Sequence, residues 1–184
     1  MDERQRFNQA IMPHLNDALT LARWLTGNIA DAEDVVQDAC IRAYRAIGSV
    51  QHGKSRAWLL AIVRNTAFTW LGKNRPRDVL LTDDESVFEQ AGIQMIDRGD
   101  AVISTPEAAL IAKDDGDLIR RTIADLPVSY REVLVLREIE ELSYREISEI
   151  MSIPIGTVMS RLSRARMLLI QRIDMTRAGK AGAM

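Results

Sequence analysis

The chain has 184 residues, enough for one or two small domains and too few for a large multidomain enzyme. Hydrophobic residues make up 47% and charged residues 27%, a balance that excludes global disorder. The single cysteine, Cys40, excludes an internal disulfide and a cysteine-based zinc site, and fits a reducing compartment.

The longest apolar run, Ala57 to Val63, falls far short of the roughly 20 residues a membrane helix needs. The start, MDERQRF, is charged and precedes no apolar core, so no signal peptide is expected and the chain is placed in the cytoplasm. The net charge of −2 hides a strong polarity. Arg42 to Arg77 holds eight bases and no acid, Asp78 to Asp117 eleven acids and two bases, and Ile155 onward six bases and one acid. Two basic blocks separated by an acidic one predict two polyanion-binding patches.

Helical periodicity dominates. A first helix is expected over Glu3 to Leu25, kinked at Pro13, which lacks a backbone donor, and stopped at Gly27. A second starts near Asp31, a candidate N-cap, with Glu33 and Asp34 at the positive end of its dipole, and ends at Gly48. A third opens at Ser55, a candidate cap, and carries Trp58, Leu59, Ile62, Val63, Ala67, Trp70 and Leu71 on a wide apolar face. Residues 78–105 show no sustained period beyond one short helix over Ser86 to Ala91, and read as a linker. Thr105-Pro106-Glu107 then opens a helix to about Ala124, broken near Gly116.

Two capping boxes follow. Ser129 to Glu132 predicts a helix over Tyr130 to Ile139, and Ser143 to Glu146 predicts a short one ending at Met151. Ser152 to Pro154 makes a tight turn, and a last helix runs from Ile155 to about Met175 with Val158, Leu162, Ala165, Leu168 and Leu169 inward. A short helix, a three-residue turn and a longer basic helix form a helix-turn-helix signature, whose second helix enters a major groove. The fold expected is all-α: two small helical domains on a flexible linker, the second a helix-turn-helix. The boundaries are 1–77, linker 78–112, 113–175, and a flexible tail 176–184.

These residues carry a resemblance. LPVSYREVLVLREIEELSYREISEIMSIPIGTVMSRLSRARMLL, Leu126 to Leu169, resembles the DNA-binding C-terminal domain of bacterial sigma factors. DAEDVVQDACIRAYRAI, Asp31 to Ile47, with SRAWLLAIVRNTAFTWLGKNR, Ser55 to Arg75, resembles their N-terminal conserved domain. The pair in this order is similar to the extracytoplasmic-function class of the sigma-70 family.

The resemblance implies an alternative sigma factor that binds core RNA polymerase, directs it to a bipartite promoter in a stress or envelope response, and is held under an anti-sigma factor. It implies that Asp31, Glu33, Asp34, Gln37 and Asp38 dock on the polymerase, an acidic face suiting a protein partner rather than DNA. It implies that Lys54, Arg56, Arg64, Asn65, Thr69, Trp70, Lys73, Arg75 and Arg77 meet the −10 element, with bases on phosphates and a pocket from Ser49 to Ser55 for unstacked bases. Trp58 is expected mainly in the core. It implies that Arg145, Thr157, Ser160, Arg161, Ser163, Arg164 and Arg166 meet the −35 element. The acidic linker would run along the polymerase.

This chain departs from the common helix-turn-helix pattern at Ser148, Ser152 and Met159. A serine in a left-handed turn costs roughly 1 kcal/mol. A compact free form would hide the DNA-binding surfaces. Two rivals stand beside this reading: a free-standing helix-turn-helix regulator, and a sigma-like decoy for an anti-sigma factor. An enzyme is not expected, because His14 and His52 have no metal-ligand spacing and no phosphate loop or nucleophile motif occurs. No metal, cofactor, small-molecule ligand or membrane insertion is expected.

Overall fold

The computed structural model describes residues 2–51, 53–77 and 116–181, and among these there are helices and no strands. The acidic stretch 78–115, with its expected short helix and the expected helix start at Thr105, lies outside them. α1 spans Glu3–Ala10, a 3-10 turn spans Met12–His14, and α2 spans Leu15–Thr26. The break falls at Pro13, as its missing donor requires. Gly27 ends α2 at φ +85°, a left-handed conformation that glycine adopts without strain.

α3 spans Ile29–Arg45. Its cap is Asn28, not the expected Asp31: the Asn28 side-chain oxygen accepts from the Asp31 N–H at 2.9 Å. Asn28 has the extended backbone a cap needs, and Asp31 is already helical. The helix stops at Arg45, and Gly48 lies in a following 3-10 turn, Ile47–Ser49. α4 spans Ser55–Asn74, with Lys54 at the cap position and no side-chain cap bond, so Ser55 is the first helical residue rather than the cap.

α2, α3 and α4 pack around Leu21, Leu25, Val35, Leu59, Leu60, Val63 and Leu71, all essentially dry. Ala18, Ala22, Ala32, Ala39, Ala43 and Ala67 line the helix contacts, and their small size lets the backbones approach closely. α1 lies across this bundle, with Phe7 edge-on to Tyr44 at 5.5 Å between ring centres.

The second domain starts with α5, residues 116–124. α6 spans Val128–Leu134 and continues as a π-helical turn, Val135–Ile139, instead of one α-helix from Tyr130 to Ile139. Ser129 is not a cap. It is buried within α6, whose N-cap position is Pro127, and Glu132 turns away from it. α7, Tyr144–Met151, does carry its capping box: the Ser143 hydroxyl accepts from the Glu146 N–H, and the Glu146 carboxylate accepts from the Ser143 N–H at 2.8 Å. The Ser143 hydroxyl also donates to the Glu146 carboxylate at 2.7 Å, and this bond, with that from the Ser143 N–H, holds the Glu146 carboxyl below its ordinary value. α8 spans Ile155–Ala181, past the expected end at Met175, with Val158, Leu162 and Ala165 buried.

The two domains are docked. α4 lies against α7, and α2 against α6, so their buried residues form one continuous cluster.

Candidate nucleic-acid and polymerase interfaces

The buried stripe of α3, Ala32, Val35, Ala39 and Ala43, follows helical spacing and turns the opposite face outward. Glu33, Asp34, Gln37 and Asp38 are all exposed on it, with Ile41 and Tyr44 beside them as large exposed hydrophobics. Acidic and amide groups around exposed apolar side chains are suited to a protein partner and would repel phosphate. Asp31 stands apart from this set. It is half-buried, receives the Asn28 amide, and lies 3.7 Å from the Arg75 guanidinium.

α4 and the residues flanking its two ends gather the first basic set, and its members differ sharply in surroundings. Asn65, Thr69, Lys73, Arg75 and Arg77 are exposed, while Trp70 is half-buried with Arg75 over its ring at 5.5 Å. Arg75 also donates to the Thr26 carbonyl at 2.9 Å, which ties the end of α4 to the end of α2. Trp58 is half-buried and packs on the core, as expected.

Lys54, Arg56 and Arg64 instead face the second domain. Lys54 Nζ lies 3.3 Å from Glu149. Arg56 donates to Asp17 at 2.6 Å, to the Glu140 carboxylate at 2.7 Å and to the Glu140 carbonyl at 2.9 Å. Burial works against the Arg56 charge, but Asp17 and Glu140 overcome it and keep the guanidinium protonated. Arg64 donates to Glu132 at 2.6 Å and stacks on Phe68 at 4.3 Å. Glu132 has no exposed surface at all. Burial pushes its carboxyl up, and Arg64 only partly offsets this. Glu140 is raised too, by burial and by the nearby Asp17 carboxylate, against the pull of Arg56.

Two clefts border the loop before α4: one of about 520 Å³ lined by Arg6, Gln9, Ala10, Val50, Gln51, Gly53 and Ser55, and one of about 240 Å³ lined by Ser49, Gln51, Lys54, Trp58 and Glu149 among others. Arg6 and Gln9 of α1 border the larger cleft, although α1 precedes the segments that carry the family resemblance. Sequence reasoning missed Glu132 and Glu140, whose role depends on a partner far away in the chain.

In the helix-turn-helix, Ser152 holds φ +55° and ends α7. The Ser148 hydroxyl donates to the Ile153 carbonyl at 2.6 Å and braces that turn, so the two serines act together. On α8, Ser160, Ser163 and Arg166 are exposed, and Thr157, Arg161 and Arg164 are half-exposed. Met159 is half-exposed on the same helix, on its outward side. Ser160 donates to the Thr157 carbonyl at 3.0 Å, and Arg166 pairs with Glu138 of the π-helical turn at 2.5 Å. Arg145, on α7, is largely exposed and lies 3.5 Å from Glu149.

Comparison with known proteins agrees with this anatomy. Residues 10–77 match the model for sigma-70 region 2, and residues 116–169 match that for sigma-70 region 4. The ECF RNA polymerase sigma-E factor of Haemophilus influenzae is 34% identical over 94% of this chain and 89% of its own. The chain belongs to the ECF sigma factors of the sigma-70 family. The Bacillus subtilis ECF sigma factor SigW is 37% identical over 81% of this chain and 79% of its own. Among solved structures, the Bartonella quintana sigma factor RpoE, in complex with the anti-sigma factor NepR, superposes with a TM-score of 0.65. It is 27% identical, over 91% of this chain and 96% of that one. CnrH, in complex with the cytosolic domain of CnrY, has a TM-score of 0.59 at 25% identity, over 94% and 90%. This ECF sigma factor is therefore a transcription initiation factor, with the region 2 match covering α2 to α4 and the region 4 match covering α5 to α7 and the first part of α8. No helix among the described residues is long and apolar enough to cross a membrane.

Proposed function

We propose that this ECF sigma factor binds core RNA polymerase through the outward face of α3, with Glu33, Asp34, Gln37 and Asp38 as the charged contacts. The observation that carries this reading is the opposition of faces: acids and exposed apolar groups on α3, bases on α4 and α8. One face suits a protein and two suit phosphates. Asp31 belongs to the internal support of α3 rather than to the docking face.

The exposed part of α4 and the residues just after it (Asn65, Thr69, Lys73, Arg75 and Arg77, with Trp70) meet the −10 element, joined by Lys54, Arg56 and Arg64 when region 4 moves away. The cleft between α1 and the loop before α4 holds an unstacked base, with Arg6 and Gln9 added to its walls. α8 enters the major groove of the −35 element through Thr157, Ser160, Arg161, Ser163, Arg164 and Arg166, and Arg145 anchors a phosphate. The factor works without chemistry of its own, acts in the cytoplasm, and is held in check by an anti-sigma protein.

Run-off transcription with purified core polymerase, this protein and DNA from upstream of its own gene tests the reading. A discrete transcript that depends on the protein is expected. Core binding without any transcript would favour the decoy. Absence of core binding would overturn the docking assignment and favour a free-standing regulator.

A further inference from the structure

We propose that Glu132, Glu140 and Glu149 of region 4 act as intramolecular stand-ins for DNA phosphates, closing region 4 over the basic face of α4 and masking it in the free factor. The inference rests on the assignment of that face to the −10 element.

Three of the bases assigned to DNA each meet a carboxylate of the other domain: Lys54 with Glu149, Arg56 with Glu140 and Arg64 with Glu132. Arg56 and Arg64 are eight residues apart, about two helical turns, so one face of α4 presents both. Closed on these carboxylates, that face presents few free cations to a nucleic acid.

The local sequence makes the arrangement unusual. Ser129 and Glu132 have the spacing of a capping box, yet Glu132 leaves it unformed and turns to Arg64. The π-helical turn and Glu141 at φ +54° follow, and this irregular backbone carries Glu140 onto Arg56. Two departures from local preference that serve one contact surface point to selection for the contact. Stability is a poor explanation for it. For the buried carboxylates Glu132 and Glu140, desolvation offsets much of what the pairing returns, and the half-exposed Lys54–Glu149 pair contributes little. What the charged pairs supply is a surface that docks specifically and that phosphate can displace. Opening and promoter binding are then linked: the apparent DNA affinity of the free factor is its intrinsic affinity reduced by the open fraction.

Two measurements on the full chain test this. First, a zero-length carbodiimide on the wild-type protein joins Lys54 to Glu149 as an amide, read by peptide mass spectrometry, if the closed form exists in solution. Second, Glu132→Ala with Glu140→Ala is compared with Asp125→Ala plus Asp174→Ala, an equal charge change at exposed positions of the same domain. The readouts are the radius of gyration by X-ray scattering and the affinity for a labelled, random-sequence single-stranded 20-mer. The expected result is a Lys54–Glu149 crosslink, a larger radius in the first variant only, and at least a tenfold gain in DNA affinity in that variant only. Absence of the crosslink together with an unchanged radius would overturn the latch. A larger radius with unchanged DNA affinity would keep the latch, overturn the −10 assignment of the masked face, and with it the phosphate mimicry. Because the crosslink is made on the wild-type chain, the test survives even if the variant folds poorly.

Discussion

Arg64 and Glu132 meet at 2.6 Å across the junction of the two domains, and the carboxylate is entirely shielded from solvent. This buried pair has a titration consequence. Burial lifts the Glu132 carboxyl above its ordinary 4.5, and Glu140 is lifted as well. Between that value and the raised one, the folded state holds protons that the unfolded state has lost, so stability falls as pH rises through this window. Glu146 has the opposite sign: its lowered carboxyl contributes stability above 4.5 that disappears as pH falls. The expected outcome is that wild-type Tm declines relative to Glu132→Gln with Glu140→Gln as pH climbs from 4.5. A pH-independent Tm difference would contradict it.

The Ser143–Glu146 box closes the start of α7 with bonds in both directions. Ser143→Ala is expected to cost about 1 kcal/mol, visible as a lower denaturant midpoint at unchanged m-value. Ser129→Ala at the unformed box is expected to move that midpoint much less. Equal losses at the two serines would show that the first box forms in solution.

Ser152 and Ser148 share the helix-turn-helix corner. Ser152→Gly removes left-handed strain of about 1 kcal/mol and gives back roughly half of it through greater freedom of the unfolded chain. A small net gain in stability is expected. Ser148→Ala removes the bond to the Ile153 carbonyl and is expected to lose about 1 kcal/mol. Urea titration of both variants decides the signs.

On α3, Asp34→Lys with Asp38→Lys is expected to weaken core polymerase binding at least tenfold, about 1.4 kcal/mol, with little change in Tm, since both side chains are exposed. Asp31→Ala is expected to do the reverse, lowering Tm through the lost Arg75 and Asn28 contacts and leaving core affinity nearly intact. Surface plasmon resonance beside calorimetry separates the two cases.

Arg145 and the hydroxyls of α8 are expected to divide the work on the −35 element. Arg145→Ala weakens binding to all duplexes alike and lowers the salt slope by about 0.9. Thr157→Ala with Ser160→Ala changes which duplex is preferred and leaves the slope unaltered. Fluorescence anisotropy across a salt series reads both.

Among the described residues, the sequence by itself determined most of the helices, their main breaks at Pro13 and Gly27, the helix-turn-helix, and the segregation of acidic and basic faces. These follow from side-chain periodicity and from backbone limits of single residues, which act within a few positions of the chain. Cap assignment was less legible, because Asn28 and Asp31, or Ser129 and Ser143, offer the same chemistry locally. At Ser129 the cap position falls two residues earlier, on Pro127, and Glu132 pairs with Arg64, whereas Ser143 stands at the cap and keeps Glu146. Only the tertiary structure decided which of the bases on α4 are exposed and which are engaged by region 4. That outcome depends on carboxylates tens of residues away and on the desolvation they undergo when the domains meet, and no local pattern encodes either.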